Sequence, residues 1–118
     1  MIYLALSEDI FNRIKSLLES HKLRYKRIED GETLLKKAQK EKPELIILEK
    51  DLPLLDGFAV TLLLKSDVKT QDIPILAICK CNYREEEFKA KDCGSDELIV
   101  YPFKENEIWE KIYKLIKR

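Results

Sequence analysis

The stretch PELIILEKDLPLLDG, residues 43–57, decides the fold of this chain. Its first half is a continuous aliphatic run that ends at Glu49, a composition typical of a parallel strand buried on both faces. Its second half is a loop that contains Pro53 and closes with Asp56 and Gly57. A carboxylate at the tip of such a strand marks the place where parallel α/β sheets bind their ligands.

Apolar residues on both sides of this stretch alternate between strand-like runs and helical spacing. An amphipathic or apolar segment of helical period follows each run. Five such βα units in one chain predict a doubly wound, five-stranded parallel sheet with helices on both faces, in a single α/β domain over residues 1–118. The predicted strands span residues 2–6, 23–28, 44–49, 73–80 and 96–103.

The composition of the 118 residues favours an ordinary globular domain. Lys plus Arg and Asp plus Glu both count 22, so the net charge is zero and neither nucleic acid nor a membrane surface is an expected partner. No segment is long and apolar enough to span a bilayer, and no basic region precedes the first apolar run, so we expect a cytoplasmic protein. We interpret its three cysteines as reduced packing residues.

The residues that follow the predicted strands meet at one edge of the sheet. Glu8, Asp9 and Glu49 are weak candidates for oxygen ligands of Mg²⁺ or Ca²⁺. Glu8 and Asp9 are also explained as first-turn acids at the positive end of a helix dipole, so no metal site is expected. No glycine-rich phosphate loop is present, and the single histidine, His21, lies far from this edge, so the sequence predicts no catalytic residues and no enzyme. The edge positions are Ser7, Glu8, Asp9, Glu49, Lys50, Cys79, Lys80 and Tyr101.

Four segments, taken in this order, resemble the receiver domains of two-component response regulators over essentially the whole chain. They are EDGETLL, PELIILEKDLPLLDG, IPILAI and CGSDELIVYPF. The resemblance implies the flavodoxin-like (βα)5 fold with strand order 2-1-3-4-5. It also implies a switch that is operated by phosphorylation of an aspartate.

The positions that perform this chemistry in the family are altered here. The phospho-accepting aspartate corresponds to Glu49, whose carboxylate is one methylene further from the backbone. The acidic pair that holds Mg²⁺ falls between Leu6 and Asp9, with Ser7 and Glu8 as the best match, so at least one acid is missing.

Three further family positions carry residues without the expected chemistry. The hydroxyl residue that contacts the phosphoryl group corresponds to Cys79, the lysine to Tyr101 and the switch aromatic to Leu98. One hypothesis is that the Tyr101 hydroxyl donates a hydrogen bond to Glu49 in place of a salt bridge. Asp51 is a second acid in the loop, but the sequence gives it no evident lysine partner, so we interpret it as a turn residue.

These substitutions predict a pseudo-receiver, which acts as a phosphorylation-independent interaction module. The resemblance implies a protein partner, either a histidine kinase, an output domain or another regulator. It also implies that a homodimer could form through the face of helix four, strand five and helix five. Another explanation is that the side chains on this face only cover the edge of the sheet and bind no partner. The candidate residues are Phe88, Leu98, Val100, Trp109 and Tyr113.

Two alternatives stay open at this point. One is a switch that binds a divalent cation, such as weakly held Mg²⁺, at Glu8, Asp9 and Glu49, or that is phosphorylated unconventionally. The other is redox work by Cys79 or Cys81, which the absence of a neighbouring cation makes weaker.

Overall fold

The computed structural model describes residues 1–80 and 84–117. Its core is a five-stranded parallel sheet with the order β2-β1-β3-β4-β5, which confirms the predicted fold and strand order. The edge strand β2 covers only the middle of the predicted segment, and among the described strands it pairs with β1 alone. The strands are β1 (Ile2–Ala5), β2 (Tyr25–Arg27), β3 (Leu45–Glu49), β4 (Ile75–Lys80) and β5 (Glu97–Tyr101).

A helix follows each strand, and the helices cover both faces of the sheet. One core cluster joins the sheet to α1 and α5, and the other joins it to α2, α3 and α4. In the part of the chain that the structure describes, no helix combines the length and apolarity that crossing a membrane requires. The helices are α1 (Glu8–Ser20), α2 (Gly31–Glu41), α3 (Gly57–Lys65), α4 (Arg84–Asp92) and α5 (Glu105–Ile116).

The loop between β3 and α3 is held close to the end of β3. Asp56 is the N-cap of α3, and its Oδ1 accepts hydrogen bonds from the backbone N–H groups of Phe58 (2.7 Å) and Ala59 (3.3 Å). A Cβ atom on Gly57 would lie only 2.0 Å from the carbonyl oxygen of Glu49. Only glycine fits at position 57 without a clash. The close approach of the loop to the end of β3 keeps Glu49 at the carboxyl edge of the sheet.

A lysine–aspartate pair closes the opposite, amino edge of the sheet. Lys65 Nζ lies 2.7 Å from Asp96 Oδ2 and donates to the carbonyl oxygens of Gln71 (3.0 Å) and Ile73 (2.7 Å). The same Asp96 oxygen accepts from the backbone N–H of Ile75 at 2.8 Å. The pair thus ties the end of α3 to the first residues of β4 and β5, in a largely buried setting.

Candidate functional site

A cleft of about 510 Å³ opens at the carboxyl ends of the strands. Ligand sites of parallel α/β sheets lie at this edge. Most of the predicted edge residues line the cleft, but Glu8, Lys50 and Cys79 do not. The lining residues are Ser7, Asp9, Ile10, Glu49, Asp51, Lys80, Tyr101 and Pro102.

Glu49 is the last residue of β3 and is only 6% exposed. Its Oε1 accepts hydrogen bonds from the backbone N–H of Ser7 at 2.7 Å and from the Ser7 hydroxyl at 2.9 Å. Ser7 is the N-cap of α1, yet its side chain makes no cap bond to that helix. The Glu49 carboxylate instead lies at the positive end of the α1 dipole and links β3 to α1.

The hypothesis that Tyr101 donates a hydrogen bond to Glu49 is wrong. Among the hydrogen bonds of residues 1–80 and 84–117, Glu49 accepts from Ser7 and not from Tyr101. The Tyr101 ring packs edge-on against Phe103 with centroids 5.5 Å apart, and the Arg13 guanidinium lies 5.6 Å from its centre. The residue at the family's lysine position therefore contributes an aromatic wall to the cleft.

The acids near the cleft do not assemble a metal site. Asp9 lines the cleft with Glu49, whereas Glu8 is exposed in the first turn of α1 and does not join them in the lining. Within the described ranges, no group of three or more acids, cysteines or histidines is arranged to hold a metal ion. Mg²⁺ demands a nearly ideal octahedron of oxygens, and the described residues do not assemble a ligand set that fits it, since no such group is present and Oε1 of Glu49 already accepts two hydrogen bonds.

Asp51 does have a lysine partner, contrary to the sequence-based interpretation. Lys80 Nζ lies 3.1 Å from Asp51 Oδ2, and this bond raises the pKa of Lys80 above its ordinary value. The β3–β4 register could have indicated this pair. Glu49 is paired with Ile78, and two residues further along the chain from each of them come Asp51 and Lys80. Both side chains are more than half exposed, so the pair is solvated.

Cys79 is completely buried in β4 and lies outside the cleft lining. Burial, with the carboxylates of Glu86 and Glu87 adding to it, raises the pKa of its thiol to about 11. Burial and nearby carboxylates also raise the pKa of the half-buried Cys93. A neutral thiol is a weak hydrogen-bond donor and a poor nucleophile. Cys81 lies outside the described residues.

The predicted interface residues divide between two sides of the molecule. Phe88 on α4 is 68% exposed. Leu98 and Val100 are half-buried on the same face of β5, and Leu98 packs into the core cluster that contains Ala90 of α4. These three residues therefore belong to one surface, formed by α4 and the edge strand.

Trp109 and Tyr113 lie on another side, next to α1. The Trp109 ring stacks on His21, with centroids 3.5 Å apart and planes within 4°, and it contacts Tyr113. On the outer side of α5, Lys111 and Lys114 contact β5, and both lie 2.9 Å from carboxylate oxygens of Glu97. Trp109 is therefore placed between α5 and α1, away from the surface of Phe88.

Comparison with known proteins agrees with this architecture. The response regulator receiver domain family matches residues 7–113. The chain is 33% identical over 76 residues to the DNA-binding dual master transcriptional regulator RpaA of Synechocystis, an alignment that covers 64% of this chain and 32% of RpaA. The chain thus spans about a third of the length of curated relatives such as RpaA.

Two solved structures share the fold at 21% identity. The receiver domain of the sensor histidine kinase PA1611 from Pseudomonas aeruginosa, which has a magnesium ion in its active-site cleft, gives a TM-score of 0.87 over 99% of this chain and 97% of its own. The receiver domain of a histidine kinase from Syntrophus aciditrophicus gives 0.89 over 98% of this chain and 89% of its own. These structures share the fold, and the family match over residues 7–113 identifies the chain as a member of the response regulator receiver domain family of two-component signalling.

Proposed function

We propose that this receiver domain works as a pseudo-receiver, which signals through protein contacts and without phosphorylation of its own. The observation that carries the proposal is the state of Glu49. The carboxylate at the acceptor position is nearly buried, and Ser7 donates two hydrogen bonds to one of its oxygens. That oxygen is engaged in holding β3 against α1, which leaves only Oε2 for any attack on a phosphorus atom.

The groups around Glu49 support the same conclusion. Phosphoryl transfer depends on positioning and on cations that neutralise the charge on the transferred group. Tyr101 supplies a ring instead of an ammonium group, and the Cys79 thiol is buried outside the cleft. Lys80 lines the cleft, and it already pairs with Asp51.

Magnesium binding is expected to be weak or absent for the same reason. Asp9 lines the cleft, but Ser7 stands in it where a second acid is needed. The Ser7 hydrogen bonds occupy one oxygen of Glu49 and the Lys80 contact occupies one oxygen of Asp51, so both carboxylates offer a cation fewer free oxygens. We therefore assign no step of the function to a metal ion.

A signal that does not use the cleft has to pass through an outer surface. Phe88, Leu98 and Val100 form the surface that we propose for a protein partner, because Phe88 is exposed and its neighbours on β5 are half-buried. Large aromatic side chains are frequent anchors of protein interfaces. The expected partner is a histidine kinase, an output domain or another regulator, met in the cytoplasm.

The proposal can be tested with beryllium fluoride, a chemical mimic of a bound phosphoryl group. Amide resonances of ¹⁵N-labelled protein are followed while Mg²⁺ and beryllium fluoride are added. We expect no saturable shift at residues 49–51, 79–80 or 101, because the cleft lacks the groups that would bind the mimic. Glu49→Gln is the matched control, since it keeps the size of the side chain and removes its charge. Saturable shifts in the wild type that this variant loses would overturn the proposal.

A second candidate function rests on the contact between Lys80 and Asp51. An aspartate with a cation 3.1 Å away has one of the groups that phosphoryl transfer uses, and Asp51 is 64% exposed. Unconventional phosphorylation of Asp51 is therefore the alternative to a pseudo-receiver. Replacing Asp51 with Asn distinguishes the two, since it removes this acceptor and leaves Glu49 in place.

A further inference from the structure

The cleft at the carboxyl edge has apolar walls as well as polar groups. Ile10, Tyr101 and Pro102 line it together with the charged residues, and its volume is about 510 Å³. Sites for small organic molecules have volumes of roughly 300–1,000 Å³ and combine apolar walls with a few polar groups that orient the ligand. An inorganic ion would leave these walls without a contact, so the composition of the cleft favours an organic ligand.

The charged groups of the lining select a ligand of positive charge. The lining contains three carboxylates, from Asp9, Glu49 and Asp51, and one ammonium group, from Lys80. Lys80 is matched by Asp51 at 3.1 Å, and no other basic residue is present among the described lining residues. The carboxylates of Asp9 and Glu49 therefore repel an anion and attract a cation.

Glu49 offers the atom at which such a cation would be held. Its side chain is only 6% exposed. Oε1 accepts both hydrogen bonds from Ser7, and within residues 1–80 and 84–117 Oε2 accepts none. A charged oxygen that is largely withdrawn from water is strongly stabilised by a charge-assisted hydrogen bond. The buried carboxylate thus has one oxygen that a donor in the cleft would satisfy.

The engagement of Oε1 also distinguishes between kinds of cation. A guanidinium group binds a carboxylate best through two parallel hydrogen bonds to both oxygens, and Ser7 already occupies one oxygen of Glu49. An ammonium group is a compact charge that a single oxygen can hold, and it needs no octahedron of ligands. A primary ammonium group is therefore the cation that fits Glu49.

An aromatic ring in the wall adds to this preference. The faces of aromatic rings attract cations, and the Arg13 guanidinium, which is not a lining group, lies 5.6 Å from the centre of the Tyr101 ring. Ile10 and Pro102 provide further apolar surface for the stem of a ligand. We propose that the cleft binds a small primary amine, whose ammonium group donates to Oε2 of Glu49 and whose apolar stem lies against Ile10 and Tyr101.

This inference goes beyond the proposed function and does not rest on it. Binding of an amine uses the charge of Glu49 and the walls of the cleft, and it involves neither a phosphoryl group nor Mg²⁺. The titration that tests it contains neither of them, so its failure would leave the result with beryllium fluoride unchanged.

Titration of ¹⁵N-labelled protein with 2-phenylethylamine at pH 7, without divalent ions, tests the inference. We expect saturable shifts of the amide resonances of Ser7, Glu49 and Tyr101. 2-Phenylethanol has nearly the same shape without the charge and should bind about tenfold more weakly or less, because it makes no charge-assisted hydrogen bond. Phenylacetate, which carries the opposite charge, should give no saturable shift.

Two glutamate variants test the assigned atom. Glu49→Gln keeps an acceptor for Ser7 and removes the charge, so it should weaken binding of 2-phenylethylamine by about tenfold or more. Glu8→Gln is the matched control, since it makes the same change at an exposed acid of α1 outside the lining, and it should bind as the wild type does. Circular dichroism checks the fold of each variant, and the three probes test the wild type without any substitution.

Several results would overturn the inference. They are the absence of saturable shifts with 2-phenylethylamine, equal binding of 2-phenylethanol, and an equal loss of affinity in Glu8→Gln and Glu49→Gln. Nα-Acetyl-lysine methylamide carries the ammonium group that a lysine of a protein partner would present, and we expect it to bind more weakly than 2-phenylethylamine. Tighter binding would show that the occupant is a lysine of a partner and that the assignment to a small amine is wrong.

Discussion

Two lysine–aspartate pairs lie at opposite edges of the same sheet, and they differ in almost every physical respect. Lys65 and Asp96, at the amino edge, are 14% and 19% exposed and share hydrogen bonds with the backbone of β4 and its preceding loop. Lys80 and Asp51, at the carboxyl edge, are 53% and 64% exposed. The first pair is part of the framework, whereas the second lies in water at the rim of the cleft.

This difference separates the contacts that hold the fold together from the groups that line the cleft. The contacts of Asp56, Gly57 and the Lys65–Asp96 pair lie within the framework of the sheet and its helices. At the carboxyl edge, Ser7 bonds to Glu49 and links α1 to β3. The proposed function requires only the first set of contacts, together with an outer surface that a partner can reach.

Breaking the amino-edge pair should have the largest effect. Asp96→Ala leaves the Lys65 ammonium group in a largely buried place without its carboxylate, so we expect the free energy of unfolding to fall by about 3 kcal/mol or more. Urea denaturation followed by circular dichroism measures the change. Lys65→Met, which removes the charge as well as the contact, should cost less; a loss below about 1 kcal/mol for Asp96→Ala would show that the pair is not part of the framework.

Breaking the carboxyl-edge pair should have a much smaller effect. Lys80→Ala removes an exposed ion pair, for which we expect a change of less than about 1 kcal/mol in the free energy of unfolding. The same denaturation series gives the comparison, with salt added as a control because screening weakens exposed pairs further. A loss as large as that of Asp96→Ala would remove the distinction between the two edges.

The fold could be predicted from the sequence because its pattern is repeated five times. The aliphatic run ending at Glu49 and the alternation of periods define strands and helices without reference to side-chain contacts. Helix capping follows equally local rules: Asp30 is the N-cap of α2, and its carboxylate accepts from the backbone N–H of Thr33 at 2.7 Å. Local rules of this kind depend on neighbours in the chain, which the sequence provides directly.

The contacts of the cleft were harder to predict because they depend on register between distant segments. The start of α1 was uncertain by one residue, and this decides whether Ser7 or Glu8 meets Glu49. To predict the contact between Lys80 and Asp51, the register of β3 against β4 would have to be extended two residues beyond its last pair. The apolar composition of α3 is evident from the sequence. Which of its leucines are exposed is not, because tertiary packing decides which side of the helix is buried.

The most direct test of the account is the intact mass of the protein after incubation with a small-molecule phosphodonor and Mg²⁺. Wild type, Glu49→Asp and Asp51→Asn are treated in parallel. We predict that the wild type gains no phosphoryl group, and that Glu49→Asp gains none either, because Tyr101 and Cys79 still occupy the supporting positions. A phosphoryl adduct on residue 49 or 51 of the wild type, formed only in the presence of the divalent ion, would contradict the account.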